Sequence, residues 1–274
     1  MKIIFEIYYH TRWGESLFLS GDIDELGANE ENRAVMMDYQ GDGLWKYTME
    51  LPASAKKFHY EYLVKSGEGI RREWGSPHSF SPGRNAGKYR LVDRWRDVPA
   101  NLPFYSSAFI QGIFFRQHAD SVVETIEQGT FTVKVDAPQL RPDERLVMVG
   151  DCPELGDWDV LKAPLLNDSA FPEWQITLDG RQLKFPFEYK FVIVRTHQRE
   201  VVAWETGENR ICREKPQNPS EAVVVSGLRF NGSESQWRGA GTAIPVFSLR
   251  TDYGFGIGEF IDLKYLVDWA LRTG

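Results

Sequence analysis

The chain has 274 residues, 42% of them apolar, enough to bury more than one core. Its net charge of −7 argues against nucleic acid and against anionic lipid, since both select basic stripes; a neutral ligand stays open. Aromatic residues make up 14%, with nine tryptophans, a large supply of flat apolar faces that carry a polar handle.

The chain opens with MKIIFEIYYHT, which alternates like a strand and is too short in apolar residues for a signal peptide. LFLSG, LWKYTMEL, FHYEYLV and YRLVD follow as further short strands, rich in β-branched and aromatic residues and separated by GDG at 41–43 and SGEG at 66–69. The stretch DVPANLPFYSSAFIQG begins with prolines and turns apolar, so part of it is expected to pack. A second series then runs TFTVKV, RLVMVG, EWQITL, FEYKFVIV and AVVVSG. After a connector, GLRFNGSESQWRGA, the character changes: GTAIPVFSLR reads as a buried strand and TDYGFGIGEF as a glycine-rich loop. FIDLKYLVDWALRTG closes as a helix with Ile261, Tyr265, Leu266, Trp269 and Ala270 near one face and Gly274 placed as its C-cap. No segment approaches the roughly 20 apolar residues of a membrane span. Cys152 and Cys212 make no disulfide framework, and no CxxC or HExxH spacing is present, so neither a metal nor another cofactor is expected and the location expected is cytoplasmic.

The two series are copies. Gly21, Leu26, Gly27, Trp45, Phe58 and Tyr60 map onto Gly150, Leu155, Gly156, Trp174, Phe187 and Tyr189 at a constant offset of 129 residues. One residue of slippage carries Trp74 onto Trp204. The expected organisation is all-β: two tandem antiparallel β-sandwiches of immunoglobulin-like type at 1–98 and 130–226. The stretch 99–129 links them, 227–240 is a second connector after the second sandwich, and 241–274 forms the first strand and helix of a TIM-type barrel that is cut off.

In the second copy Trp158 follows a turn, Trp204 and Glu205 follow the FEYKFVIV strand that holds Lys190, and Asn209 comes next. Two loop indoles with polar company suit a sugar, whose C–H faces stack on aromatic rings while its hydroxyls take hydrogen bonds; the competing reading makes both indoles core. The motifs LGDW, PEW, FEYK and WETGENR resemble the starch-binding carbohydrate-binding module of family 20 over nearly all of this copy. That resemblance implies a first glucan site built from Trp158, Lys190, Trp204, Glu205 and Asn209, and places Trp174 near a second site in a partly structural role. The first copy departs from the pattern: Asn29 stands for the first tryptophan and Glu61 for the lysine, and Trp74 alone survives from the first site. The resemblance implies a better-kept second site, with Trp13 before the second strand and Tyr39 ahead of Trp45; the competing reading of both is ordinary partly exposed packing.

SLRTDYGFGIGEFIDLKYLVDWALRTG resembles the opening of the 4-α-glucanotransferases of glycoside hydrolase family 77, the amylomaltase or disproportionating-enzyme group, and two starch-binding modules ahead of that barrel are typical of the cytosolic plant-type members. The resemblance implies transfer of α-1,4-glucan units between maltose or maltodextrin and acceptor glucans such as starch or glycogen-like polysaccharide, with Tyr253 lining the cleft. The paired carboxylates that retaining transfer needs are expected beyond position 274, so no catalytic residue is assigned here. A dinucleotide loop is the rival reading of Gly254, Gly256 and Gly258, but their spacing is GxGxG rather than GxGxxG. The alternatives for the whole are a non-enzymatic glycan-binding or regulatory β-protein, and an amylase or debranching enzyme carrying the same modules.

Overall fold

The computed structural model describes residues 1–83, 87–114, 125–232 and 244–273. They form two compact units, Met1–Ser233 and Glu234–Gly274.

The first half of the larger unit contains β1 (Lys2–Tyr8), β2 (Ser16–Gly21), β3 (Val35–Met36), β4 (Asp38–Gly41), β5 (Leu44–Glu50), β6 (Phe58–Ser66), β7 (Gly69–Arg72), β8 (His78–Phe80) and β9 (Lys88–Arg94). The second half repeats the plan with β10 (Thr130–Asp136), β11 (Glu144–Gly150), β12 (Asn167–Ala170), β13 (Glu173–Asp179), β14 (Phe187–Arg195), β15 (Val201–Trp204), β16 (Arg210–Cys212) and β17 (Ala222–Arg229). Period-2 patterning sets what each strand buries. In β1 the alternate residues Ile3, Phe5 and Ile7 meet Leu17 and Leu19 of β2 and Tyr60 and Tyr62 of β6 in the first core. In β10 Phe131, Val133 and Val135 meet Leu146 and Met148 of β11 and Phe187, Tyr189 and Phe191 of β14 in the second. The all-β sandwich class expected from the alternating runs is the class observed.

The two halves share a sheet. One eight-stranded sheet runs β12-β13-β10-β17-β9-β1-β5-β4, and its centre is the parallel pair of β17 on β9, each the last strand of its own copy. Ala222 lies opposite Tyr89, Val223 opposite Arg90, Val224 opposite Leu91 and Val225 opposite Val92. Paired residues share a face and successive residues alternate. Accordingly Ala222 and Val224 enter the first core with Tyr89 and Leu91, while Val223 and Val225 enter the second with Val92. The partner sheets, β3-β2-β6-β7 with β8, and β11-β14-β15 with β16, therefore cover opposite faces of one continuous sheet. A buried polar network crosses the same seam. Ser226 of β17 donates to Asp93 Oδ1 at 2.6 Å, and the Tyr60 and Tyr62 hydroxyls donate to Asp93 Oδ2 at 2.9 and 2.6 Å. Each acceptor is satisfied, as a buried carboxylate requires.

In the connector, Leu102–Tyr105 forms a 3-10 turn and Ala108–Ile113 a π-helical turn. Phe104 sits 5.1 Å from Phe109 and 6.0 Å from Phe114, ring centre to ring centre, and Ile110 packs on the second core. Positions 115–124, and 233–240 of the later connector, lie outside the described residues.

The smaller unit carries α1 (Leu263–Thr273), entered through a reciprocal capping box between Glu259 and Asp262. The strand expected over GTAIPVFSLR is not found in its described part: Val246–Ser248 is a 3-10 turn, and Ile244 and Phe247 are exposed. A strand is stable only when neighbours take its hydrogen bonds, and none pairs with this segment among the described residues. Positions 241–243 and the proposed cap Gly274 lie outside the described residues.

Candidate functional site

One turn recurs in both copies and aims the residue that follows it. Gly27 and Gly156 take left-handed φ of 85° and 82°, and the next two residues stay left-handed, Asn29 at 62° and Trp158 at 65°. The Asn29 and Trp158 amides then donate to Gly21 O at 2.6 Å and Gly150 O at 2.7 Å. Positive φ favours glycine. A Cβ at Gly21 or Gly150 would also stand 2.6 or 2.4 Å from a backbone oxygen of the facing strand. The scaffold is thus identical, and only the side chain it displays differs.

In the second sandwich the displayed residue is an indole. Trp158 packs on the outer face of the β11-β14-β15 sheet, over Val147, Val149, Val192 and Val194. Val192 pairs with Trp204, and Lys190 with Val149, so Trp158, Lys190 and Trp204 share this face. Trp204 is 42% exposed. Lys190 Nζ donates to Glu205 O at 3.2 Å and to Gly207 O at 2.6 Å, which fixes the side chain. Asn209 is exposed and donates to Glu188 Oε2 at 2.8 Å, on the same outward side of β14.

Glu205 is placed apart from this surface. It is 2% exposed. Arg210 Nε reaches both of its oxygens, at 3.0 and 2.9 Å, and the amides of Phe191 and Asn231 donate to them at 3.3 and 3.1 Å. A carboxylate so enclosed orders the strand ends and has no face left for a ligand. Trp174 is fully buried and donates from Nε1 to Ala137 O at 3.1 Å, so its role is core.

The first sandwich corrects the alignment of Trp74. Glu73 and Tyr62 exchange hydrogen bonds, amide to carbonyl at 3.2 Å and amide to carboxylate at 3.1 Å, just as Glu205 and Phe191 do at 3.0 and 3.3 Å. Glu73 is the counterpart of Glu205, and His78 holds it as Arg210 holds Glu205. Position 72 therefore matches 204: Arg72 pairs with Leu63 where Trp204 pairs with Val192. The slippage is larger than the shared tryptophan suggests. Arg72 bonds Glu61 and Glu31, and Lys65 bonds the Glu31 carbonyl. A charge ladder covers the face that carries indoles in the second copy.

The other end of this sandwich is aromatic and open. Trp13 stands wholly in solvent (103% exposed) at a turn closed by Glu15 N–H on Arg12 O, with Gly14 at φ 80°. Tyr39 is 57% exposed, packs on Trp45 at 5.1 Å and accepts from Gly43 N–H at 3.3 Å. Gly43 O in turn takes the Tyr9 amide at 2.8 Å, and Trp45 Nε1 donates to Tyr9 O at 3.0 Å. These bonds fasten the loop bearing Trp13 to the hairpin bearing Tyr39.

Trp74 faces the junction of the two sandwiches, in a cleft of about 570 Å³ lined also by Arg96, Tyr105, Asp136 and Glu173. Sequence reasoning missed the last four, which come from separate segments and share no pattern. Burial pushes the Asp136 carboxyl up to about 6, Glu173 adds to the rise, and Arg96, Arg229 and His78 oppose it. The folded value lies above the unfolded one of about 3.9, so ionised Asp136 destabilises the fold at neutral pH and the penalty is relieved as pH falls through 6. Asp136→Asn is expected to stabilise the chain by about 2–3 kcal/mol at pH 8 and by little at pH 4, read from denaturant unfolding at both pH values.

In the smaller unit Tyr253 is 85% exposed in a loop that Thr251 closes by donating to Asp262 Oδ1 at 2.8 Å.

A family model described as starch binding domain matches residues 1–85 and 128–223. The 4-alpha-glucanotransferase DPE2 of Oryza sativa subsp. japonica is 30% identical across all of this chain, which spans 30% of that protein's length. The AA13 family lytic polysaccharide monooxygenase A of Aspergillus terreus is 32% identical over 73 residues, covering 25% of this chain and 18% of that protein. Among solved structures, the family 20 module of a maltotetraose-forming amylase from Pseudomonas saccharophila aligns at 19% identity and a TM-score of 0.29, over 35% of this chain and 99% of its own.

Proposed function

The chain belongs to the starch binding domain family over both sandwiches, and we propose that it holds α-1,4-glucans for a 4-α-glucanotransferase whose catalytic carboxylates lie elsewhere in a longer protein. The observation that carries the reading is the set of Trp158, Trp204 and Lys190 on one outward sheet face. Two aromatic planes and a fixed ammonium suit a neutral, hydroxyl-rich chain: the planes take the sugar C–H faces and the ammonium donates to a hydroxyl. Asn209 stands at the edge of that surface. Glu205 acts through Arg210 as a positioning residue and not as a contact.

In the first sandwich the binding surface is the loop end with Trp13 and Tyr39, because Arg72, Glu61 and Asn29 stand where the other surface has Trp204, Lys190 and Trp158. The exposed apolar residues of 253–271, Tyr253 among them, favour packing against, or lining the cleft of, a glucanotransferase barrel. In this reading the region itself binds without catalysing, and its partner is a maltodextrin, starch or glycogen-like glucan.

Trp13→Ala tests the assignment in the first sandwich. The side chain has no protein neighbours to lose, so the melting temperature is expected to stay within a degree or two while maltoheptaose binding by this sandwich is lost. Trp74→Ala is expected to leave that binding in place. Wild-type binding in Trp13→Ala together with loss in Trp74→Ala would reverse the assignment.

A further inference from the structure

We propose that the cleft between the two sandwiches is a third carbohydrate site, which takes one or two glucosyl units of an α-glucan between Trp74, Tyr105, Arg96, Asp136 and Glu173; the proposal rests on the glucan-binding reading above. The cleft is built by neither copy alone. Trp74 and Arg96 follow strands of the first copy, Tyr105 comes from the connector, and Asp136 and Glu173 lie opposite each other on β10 and β13 of the second. Its volume of about 570 Å³ falls in the range of small-molecule sites, roughly 300–1,000 Å³.

The chemistry of the lining selects a neutral polyol. The Trp74 ring is held by Tyr105, edge-on at 4.8 Å, and by the Arg229 guanidinium 5.4 Å from the ring centre. Two carboxylates, Asp136 and Glu173, are acceptors for hydroxyl protons. Arg96 lines the same cleft as a positive charge. Its Nε is anchored on Glu73 Oε2 at 2.9 Å, its side chain is nine-tenths buried, and its Nη2 has no hydrogen-bond partner among the described residues. Nη2 is itself enclosed by protein, so Arg96 acts on a ligand through its charge beside the cleft and not by donating from that atom. Around Asp136 the Glu173 charge is opposed by Arg96, Arg229 and His78, and Glu173 itself pairs with Lys134 at 3.5 Å, so the acidic and basic groups at the cleft are mixed. Burial and the Glu173 charge raise the Asp136 carboxyl to about 6, so near neutral pH it gains by meeting a hydroxyl donor. Trp74 is free for this role because Arg72, and not Trp74, occupies the position matching Trp204.

The test titrates the full chain with maltotriose by calorimetry, in the wild type and in the double variant Trp13→Ala/Trp204→Ala, which removes both outward surfaces. The double variant is expected to retain maltotriose binding, and adding Tyr105→Ala or Glu173→Gln is expected to weaken that residual affinity about tenfold or more. Glu173 is a rim residue with a third of its side chain exposed, so Glu173→Gln keeps the test informative if Tyr105→Ala disturbs the connector. A wild type that binds maltotriose beside a double variant that does not overturns the cleft and leaves the glucan reading standing. Residual binding unchanged by Tyr105→Ala and Glu173→Gln also overturns it. A wild type that binds neither maltotriose nor β-cyclodextrin overturns both.

Discussion

Trp204→Ala is expected to cut maltoheptaose binding by the second sandwich at least thirtyfold and to leave the fold intact. The ring is 42% exposed and shares its sheet face with Lys190 and Trp158, so its free area faces solvent. An aromatic at the centre of a small contact surface carries about 2 kcal/mol or more of the binding free energy, which is that factor in affinity. The stability cost is small because the loss is one half-exposed side chain over Val192. Trp158→Ala is a poorer probe, since its indole also packs against the buried cluster on that face. Fluorescence titration with maltoheptaose, beside a thermal melt, reads both quantities. Unaltered affinity in a folded Trp204→Ala would remove this surface from the account.

The second large effect concerns the seam. Val224→Asp is expected to unfold both sandwiches together, although position 224 lies in the second copy by sequence. Its side chain is 4% exposed and sits in the first core with Tyr89 and Leu91. Burying an unpaired carboxylate there costs several kcal/mol, a large part of the stability of an ordinary domain. Val224 also contributes backbone pairing between Thr132 of β10 and Leu91 of β9. Wild-type Met1–Ser233 is expected to melt in one transition, and Val224→Asp to lower tertiary signals from Trp45 in the first core and Trp174 in the second alike. Two separate wild-type transitions, or a variant that loses only the second core, would show the modules to be independent.

Much of this was legible in the residues. The repeated Leu-Gly turn, with its glycine-only φ, located the loop that displays Trp158 or Asn29, and the alternating runs gave the sandwiches. Three things were not legible, each for a physical reason. Strand register is decided by pairing, and a shared tryptophan hid it: Arg72 lies where Trp74 was expected because Glu73 repeats the inward bonds of Glu205. The direction of a charged side chain in a Trp-Glu pair follows strand parity, so with Trp204 outward Glu205 turns in to Arg210. The seam between copies depends on β17 and β9 meeting edge to edge, and a strand buried on both faces reads as a plain apolar run such as AVVVSG. The helix was found from its periodicity. The strand expected ahead of it is absent from the described residues 244–250, because apolar composition cannot supply the neighbour a strand needs.

The central claim is that the two copies of one fold bind glucan through different surfaces. Calorimetric titration of the full chain with β-cyclodextrin, a closed ring with no chain end to insert into the cleft, tests it most directly. The account predicts two sites per chain in the wild type, one in Trp204→Ala, one in Trp13→Ala and none in the double variant, with the surviving site unchanged in affinity in each single variant. A wild type with a single site abolished by Trp204→Ala and untouched by Trp13→Ala would contradict it, as would binding in the first sandwich that depends on Arg72 and Glu61.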